Sequence, residues 1–353
     1  MKTVSVIVIN FNGLADIEAC LESVAAQDYP ELELLVIDNG SSDGSTEWLR
    51  EWASGQSGGT RFKTTGPLLI ENGANTGFSP ALNQGIKATT GELVMPLNTD
   101  VVLEDSFIAM LVARLEKDSA GSVSGKLMRF PPFGKDNVID TVGHVIFKNR
   151  LAESLGEGLR GATSFLEPIE VWGTCGAAAI YDRAMLEDVA VDGEYFDEDF
   201  FAFWEDLDLD WRARMRGWRC MFEPAAVGYH RRGGAGYRKS LLVETHNYKN
   251  RYLMIIKNDS ARYLLRNLPG LAATEALKGG ALLVRCPKAL LGLGQVVRLL
   301  PAMVRKRRVI QSRRLVPARD LDGWFQPFGY AKWVRRHLLN RGEMIVEAER
   351  ERA

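Results

Sequence analysis

One rhythm runs through the first 100 residues and restricts the folds open to this chain. Val4–Ile9 is a continuous apolar, β-branched run, the mark of a strand buried on both faces of a parallel sheet. Asp16–Ala26 follows, with Ile17, Cys20, Leu21 and Val24 at helical spacing. Leu32–Ile37 reads as a second strand, and Trp48, Leu49 and Trp52 mark a second helix. Pro67–Ile70, Ser79–Ala88 and Glu92–Leu97 continue as strand, helix, strand. Such alternation predicts an α/β fold, a doubly wound and mostly parallel sheet with helices on both faces. Ser106–Lys117 adds a helix. Residues 121–172 break into short β-rich pieces around Pro131-Pro132, Gly134 and Gly143. Glu205–Arg216 reads as a helix stopped by Gly217, and Trp218–Tyr229 as a strand. After about Ser240 the chain turns helical and basic.

At 353 residues the chain is long enough for roughly two domains of about 150 residues and for a large core. Apolar residues make up 46% and charged residues 25%, which excludes a disordered or collagen-like chain. No run of 18 apolar residues occurs, so a membrane-spanning helix is not expected. The apolar run after Met1-Lys2-Thr3 is too short for a signal peptide, and Asn10-Phe11-Asn12-Gly13 is no cleavage site. Cys20, Cys175, Cys220 and Cys286 are scattered without a C-x-x-C pair, as buried thiols of a reducing cytoplasm would be.

The chain's net charge of −1 hides an asymmetry. Ala261 to Arg314 holds twelve Lys and Arg against one acid, Glu275, for a net +11, leaving −12 on the remainder. Charge of one sign gathered in one segment points to a surface partner of opposite charge.

Open α/β sheets bind ligands beyond the carboxyl ends of their strands. Three polar clusters fall there: Asn10-Phe11-Asn12, Asp38-Asn39-Gly40 and Asn98-Thr99-Asp100. Asp38 and Asp100 also suit turn or helix caps. No G-x-G-x-x-G or G-x-x-x-x-G-K-[ST] follows the first strand, so dinucleotide and P-loop readings lose their support. A carboxylate at Asp100 suits Mg²⁺ or Mn²⁺, which take oxygen ligands together with substrate phosphates. Glu205, Asp206, Asp208 and Asp210 sit beside Phe203 and Trp204 at a helix start. The helix dipole favours acids there, and one of them held near aromatic rings suits a general base. His230-Arg231-Arg232 before Gly233-Gly234-Ala235-Gly236 suits a diphosphate. Trp172-Gly173-Thr174 opens a run of small residues that either packs tightly or lets a bulky ligand approach.

These motifs, in this order, resemble a family 2 glycosyltransferase of GT-A fold. Val4–Gly13 and Ile37–Ser45 resemble that family's opening strand and nucleotide loops. Asn75-Thr76-Gly77-Phe78 with Asn83-Gln84-Gly85 resembles the N-x-G-F…N-x-G segment of its rhamnosyltransferase-like branch. Asn98-Thr99-Asp100 stands in the place of the D-x-D motif, with an amide where many relatives carry Asp. Glu205–Leu209 with Trp211-Arg212 matches E-D-x-D-L-x-W-R.

The resemblance covers about residues 3–250 and implies an inverting transfer from a nucleoside-diphosphate sugar. It puts Asn10, Asn12, Asp38, Asn75, Asn98 and Asp100 against the donor. Asp100 and His230 would hold the metal, and Arg231 and Arg232 the diphosphate. Trp172, Gly173, Thr174 and Trp204 would face the acceptor. Asp206 would be the base, with Glu205 as its fallback. The donor it implies is dTDP-L-rhamnose, with a UDP-sugar (galactofuranose or hexose) as rival, and the acceptor a cell-surface polysaccharide or lipid-linked glycan. The implied layout is a catalytic domain over 1–240, with a donor part over about 1–105 and an acceptor part over about 120–240, then a helical region over 241–353. Two other classes stay open. A sugar nucleotidyltransferase would carry a Gly-rich basic loop after the first strand, which this chain lacks; a non-catalytic glycan- or nucleotide-binding relative is the other.

In the basic segment, Pro269, Pro287 and Pro301 are expected to divide short helices. Basic helices of this kind suit the anionic cytoplasmic face of a membrane, or packing on the catalytic domain. No aromatic interleaving or known module accompanies the charge, so nucleic acid is not an expected partner.

Overall fold

The computed structural model describes residues 1–55, 62, 68–130, 137–231 and 240–330. Pro67, Pro131-Pro132, Gly134, Arg232, the glycine loop after it and residues 331–353 lie outside the described residues.

The chain runs β1 (Val4–Asn10), α1 (Ile17–Ala25), β2 (Leu32–Asp38), α2 (Ser45–Gly55), β3 (Leu69–Glu71), α3 (Phe78–Ala88), β4 (Leu93–Asn98), β5 (Val101–Leu103) and α4 (Phe107–Asp118). Then come β6 (Ser122–Arg129), β7 (Ile139–Thr141), β8 (His144–Ile146), β9 (Ala152–Ser154), β10 (Ile169–Glu170), β11 (Ala179–Asp182), α5 (Arg183–Val189), α6 (Glu205–Arg216) and β12 (Cys220–His230). Helices α7 (Leu241–Asn258), α8 (Ala261–Arg266), α9 (Leu268–Arg285), α10 (Gly292–Ser312) and α11 (Ala318–Asp322) follow.

The main sheet has the order β10-β12-β6-β11-β4-β1-β2-β3, with β5 beside β12 and β7 beside β6. β3, β2, β1 and β4 are parallel, and β12 is parallel to β6. β11 runs antiparallel between β4 and β6. The apolar runs of β1 and β2 are buried because both faces are covered. Val4, Val6 and Val8 share one core with α1 and α4, while Ile7, Leu35 and Ile37 share the other with α3 and α5. Pro224 is tolerated in β12 because it falls in the irregular register between Glu223 and Val227.

Strand register sets the tips level. Asn10 pairs with Asp38, Ile9 with Asn98, and Asp38 with Glu71. The chain goes outward from β1 to β2 and β3, then returns to β4 on the other flank. This is the topological switch point at which a crevice opens.

The helical region is built into the body. Leu253 and Met254 of α7 and Val296, Met303 and Ile310 of α10 share a core with Trp204, Leu207 and Trp211. One expectation changes here. Pro269 and Pro287 do open separate helical pieces, but α10 runs on through Pro301. Within the Arg305–Arg308 cluster, Lys306 and Arg307 turn inward while Arg305 and Arg308 are exposed. Lys306 is 3% exposed and meets Glu194, Asp197 and Asp199, Arg305 meets Asp192, and Arg307 donates to the Ile256 carbonyl. Acids of the body therefore answer part of the positive charge that the sequence concentrates here.

Candidate active site

Two adjoining cavities open at the strand tips. The first, about 340 Å³, is lined by Phe11, Asn39, Asn75, Asn98 and Asp100 among others. The second, about 450 Å³, is lined by His144, Cys175, Gly176, Trp204, Glu205 and Asp206 among others. Phe78, Asn98, Ala202, Phe203 and His230 line both.

The expected donor residues separate into two groups. Asn75, Asn98 and Asp100 line the first cavity. Asn10, Asn12 and Asp38 do not; they hold its loops from behind. Asn10 Nδ2 donates to Asp38 Oδ1 at 2.8 Å, and Asp38 accepts from the hydroxyls of Ser41 at 2.6 Å and Thr46 at 2.9 Å. Asn12 Oδ1 accepts the Ser42 N–H at 2.8 Å. Asn39 and Phe11 take the lining positions instead. Asn39 is fixed on both sides, accepting from Thr76 Oγ1 at 2.9 Å and donating to the Gly77 carbonyl at 3.1 Å. Gly40 has φ +80°, and a Cβ there would lie 2.5 Å from the Ala74 backbone, so only glycine fits.

Asp100 and His230 are brought together by strand pairing, with Val101 of β5 opposite His230 of β12. His230 Nε2 lies 3.3 Å from Asp100 Oδ1, and Nδ1 lies 2.9 Å from Asp140 Oδ2. Asp140, on β7, is fully buried and was not among the expected residues. Burial works against a charged His230, but Asp100 and Asp140 outweigh it and push its pKa up to about 9. The donor set fits a divalent cation. Asp140 holds Nδ1, which leaves Nε2 beside a carboxylate oxygen at the cavity wall. Arg231 does not line the cavity; its guanidinium pairs with Asp16, which does, at 2.7 Å.

The loop before α6 is strained. Phe201, Phe203 and Trp204 have φ of 67°, 71° and 72°, a region bulky side chains avoid. Helix α7 holds it. Asn250 Nδ2 lies 2.7–3.0 Å from the carbonyls of Phe200, Ala202 and Phe203, and Asn247 accepts the Trp204 indole N–H at 2.9 Å.

The four acids of α6 have different tasks. Asp206 faces the second cavity, where its Oδ2 accepts the Gly176 N–H at 3.1 Å and lies 3.7 Å from His144 Nε2. Asp208 is buried against Arg212, Lys257 and Asn258. Asp210 is buried and accepts the Thr174 N–H at 2.9 Å; burial, and then the Asp206 charge, raise its pKa well above the ordinary carboxylate value. Glu205 is 7% exposed with Oε2 unpartnered; burial, and then Asp206, push its pKa up to about 8.

The acceptor-facing expectation needs correction. Trp172 is 3% exposed and packs edge-on against Trp211 at 5.8 Å, Thr174 is fully buried, and Gly173 packs on Asp210. A run of small residues does not say which of them faces outward; here Cys175, Gly176 and Ala177 form the wall of the second cavity, and Trp204 also lines it. Ligand atoms of His144, Cys175 and Asp206 lie within 4.8 Å of one another, a second group able to hold a metal.

A mostly parallel sheet with β11 reversed between β4 and β6, a strand-tip crevice and a carboxylate–imidazole pair beside it define the GT-A class of nucleotide-sugar transferase folds. The family model of Glycosyl transferase family 2 matches residues 5–190, and the chain belongs to that family. It is 25% identical over 228 residues to the poly-β-1,6-N-acetyl-D-glucosamine synthase of Staphylococcus epidermidis, covering 64% of this chain and 49% of that protein. The chain thus spans about half the length of that relative. Among solved structures it resembles a mannosyltransferase from Pyrobaculum calidifontis in complex with GDP-Man and Mn²⁺, with TM-score 0.52, 19% identity, and 98% of this chain and 84% of that one covered. It also resembles GalNAc-T7 with UDP, GalNAc and Mn²⁺, with TM-score 0.56, 17% identity and coverage of 74% and 49%.

Proposed function

We propose that this chain is an inverting glycosyltransferase that moves a sugar from a nucleoside diphosphate to a hydroxyl of a polysaccharide or lipid-linked glycan. The observation that carries this reading is the shared wall between a cavity bearing Asp100 and one bearing Asp206, with His230 lining both. The donor occupies the first cavity, with its base and ribose toward Asn39 and Asn75. Asp100 and His230 would hold a divalent cation. When bound, that ion offsets the negative charge gathering on the leaving diphosphate. Imidazole beside carboxylate suits Mn²⁺ better than Mg²⁺, which prefers oxygen alone.

The acceptor hydroxyl enters the second cavity. Asp206 takes its proton as the oxygen attacks the anomeric carbon, and the Gly176 N–H holds the carboxylate in place. Glu205, neutral at pH 7, does not compete for that proton.

The proposed donor is dTDP-L-rhamnose, supported by the Asn75–Phe78 segment. The poly-N-acetylglucosamine synthase relative supports the rival, a UDP-hexose. Turnover against a panel of nucleotide sugars tests this. Preference for dTDP-L-rhamnose is expected, and preference for a UDP-sugar overturns the rhamnose assignment. The site lies on the cytoplasmic face of the membrane in this reading.

A further inference from the structure

Eight of the seventeen large apolar side chains found exposed among the described residues lie between Leu265 and Leu300. That stretch holds only 36 of the chain's 353 residues. On α9 the exposed positions include an i, i+4 stripe, Leu268, Ala272, Ala276, Gly280 and Val284, flanked by Ala273 and Leu283. Leu271, Thr274 and Leu282 of the same helix are buried. On α10, Leu293, Val297 and Leu300 form a second exposed stripe, while Val296 and Met303 are buried. Both helices are thus apolar on their buried and their solvent sides, which an ordinary surface helix is not.

The charge exposed on the same elements has one sign. Arg262, Arg266, Arg285, Lys288 and Arg298 are exposed. The single acid of the stretch, Glu275, is turned to Arg251 and Tyr252. The Arg305–Arg308 cluster takes little part, since three of its four members engage the body.

We infer that α8, α9 and the first half of α10 form a docking face for an anionic bilayer surface. Apolar side chains enter the headgroup boundary and the cations meet lipid phosphates. A second copy of the chain is the poorer occupant, because it would set five cations against five. No helix among the described residues is long and apolar enough to cross a membrane, and the inferred contact is one of surface docking.

The helix that carries this face reaches the second cavity with its opposite, buried side. Lys278 of α9 lies 5.9 Å from the ring centre of Trp204, which lines that cavity. A saccharide whose lipid carrier sits in the same leaflet would reach Asp206 without leaving the bilayer. This last step rests on the transferase reading; the membrane contact does not.

Flotation with phosphatidylcholine vesicles, with and without phosphatidylglycerol, tests the face. The protein should float with the anionic vesicles alone, and added salt should weaken binding. Lys288→Gln or Arg298→Gln should weaken it roughly fivefold each. Leu283→Asp with Val284→Asp should abolish it while the thermal unfolding transition stays at the wild-type temperature. Failure of the wild type to float with anionic vesicles overturns the inference, as does unchanged flotation of the double variant. A concentration-dependent dimer that the double variant disrupts would assign the face to a second copy and overturn it too. Transfer activity does not enter this readout, so failure of the transferase reading is seen separately.

Discussion

At the residue scale, two neighbouring carboxylates sit in different surroundings. Asp206 has the Gly176 N–H and an open cavity; Glu205 has burial and an unpartnered oxygen. Glu205→Gln copies the neutral form and should keep most of the wild-type transfer rate at pH 7, measured as kcat. The same change should alter stability against pH. A carboxyl whose folded pKa is raised from 4.5 to about 8 contributes stability below pH 4.5 and loses it as pH rises through 8. Denaturant unfolding across that window should show a shallower decline in Glu205→Gln. Asp140 pairs with His230 Nδ1, so the proposed metal site predicts that Asp140→Asn weakens Mn²⁺ binding by about 10–100-fold in calorimetry without added donor. Asp100, His230 and Asp206 were legible because their motifs are ordered along the chain. Asp140 was not: it sits on a three-residue strand, and only the pairing of β7 with β6 brings it to His230.

At the element scale, the parallel strands were readable because burial on both faces demands unbroken apolar runs, as in Val4–Ile9. The loop before α6 was not. Positive φ normally announces itself through glycine, yet Phe201, Phe203 and Trp204 occupy it here. The compensation comes from Asn250, more than forty residues away in sequence. Asn250→Ala should leave three carbonyls without that donor. Loss of stability by about 1–3 kcal/mol is expected. The catalytic rate should fall with it, measured as kcat/KM, because the same loop sets the start of α6. Unchanged kcat/KM in a folded variant would separate the loop from the site.

Across the whole molecule, the acidic body and the basic C-terminal segment meet each other. Lys306 reaches Glu194, Asp197 and Asp199 across more than one hundred residues. Net charge along the chain marked the asymmetry but could not show that partner, since each group alone reads as solvated. Lys306→Met should cost about 3–5 kcal/mol in denaturant unfolding, because it leaves Asp197 buried with only Lys257 against it. Burial raises the Asp197 pKa, but Lys257 and Lys306 outweigh it and hold the group below its ordinary 3.8. Its contribution to stability is therefore present above about pH 4 and lost as pH falls below that. The variant should show less of that acid-side loss.

The division of labour between the two cavities is tested most directly by the turnover of Asp206→Asn. The measurement is kcat for sugar transfer, made on protein shown to bind nucleoside diphosphate with Mn²⁺ as the wild type does. A fall of about 10²–10⁴-fold is predicted. Turnover equal to the wild type's would contradict the account.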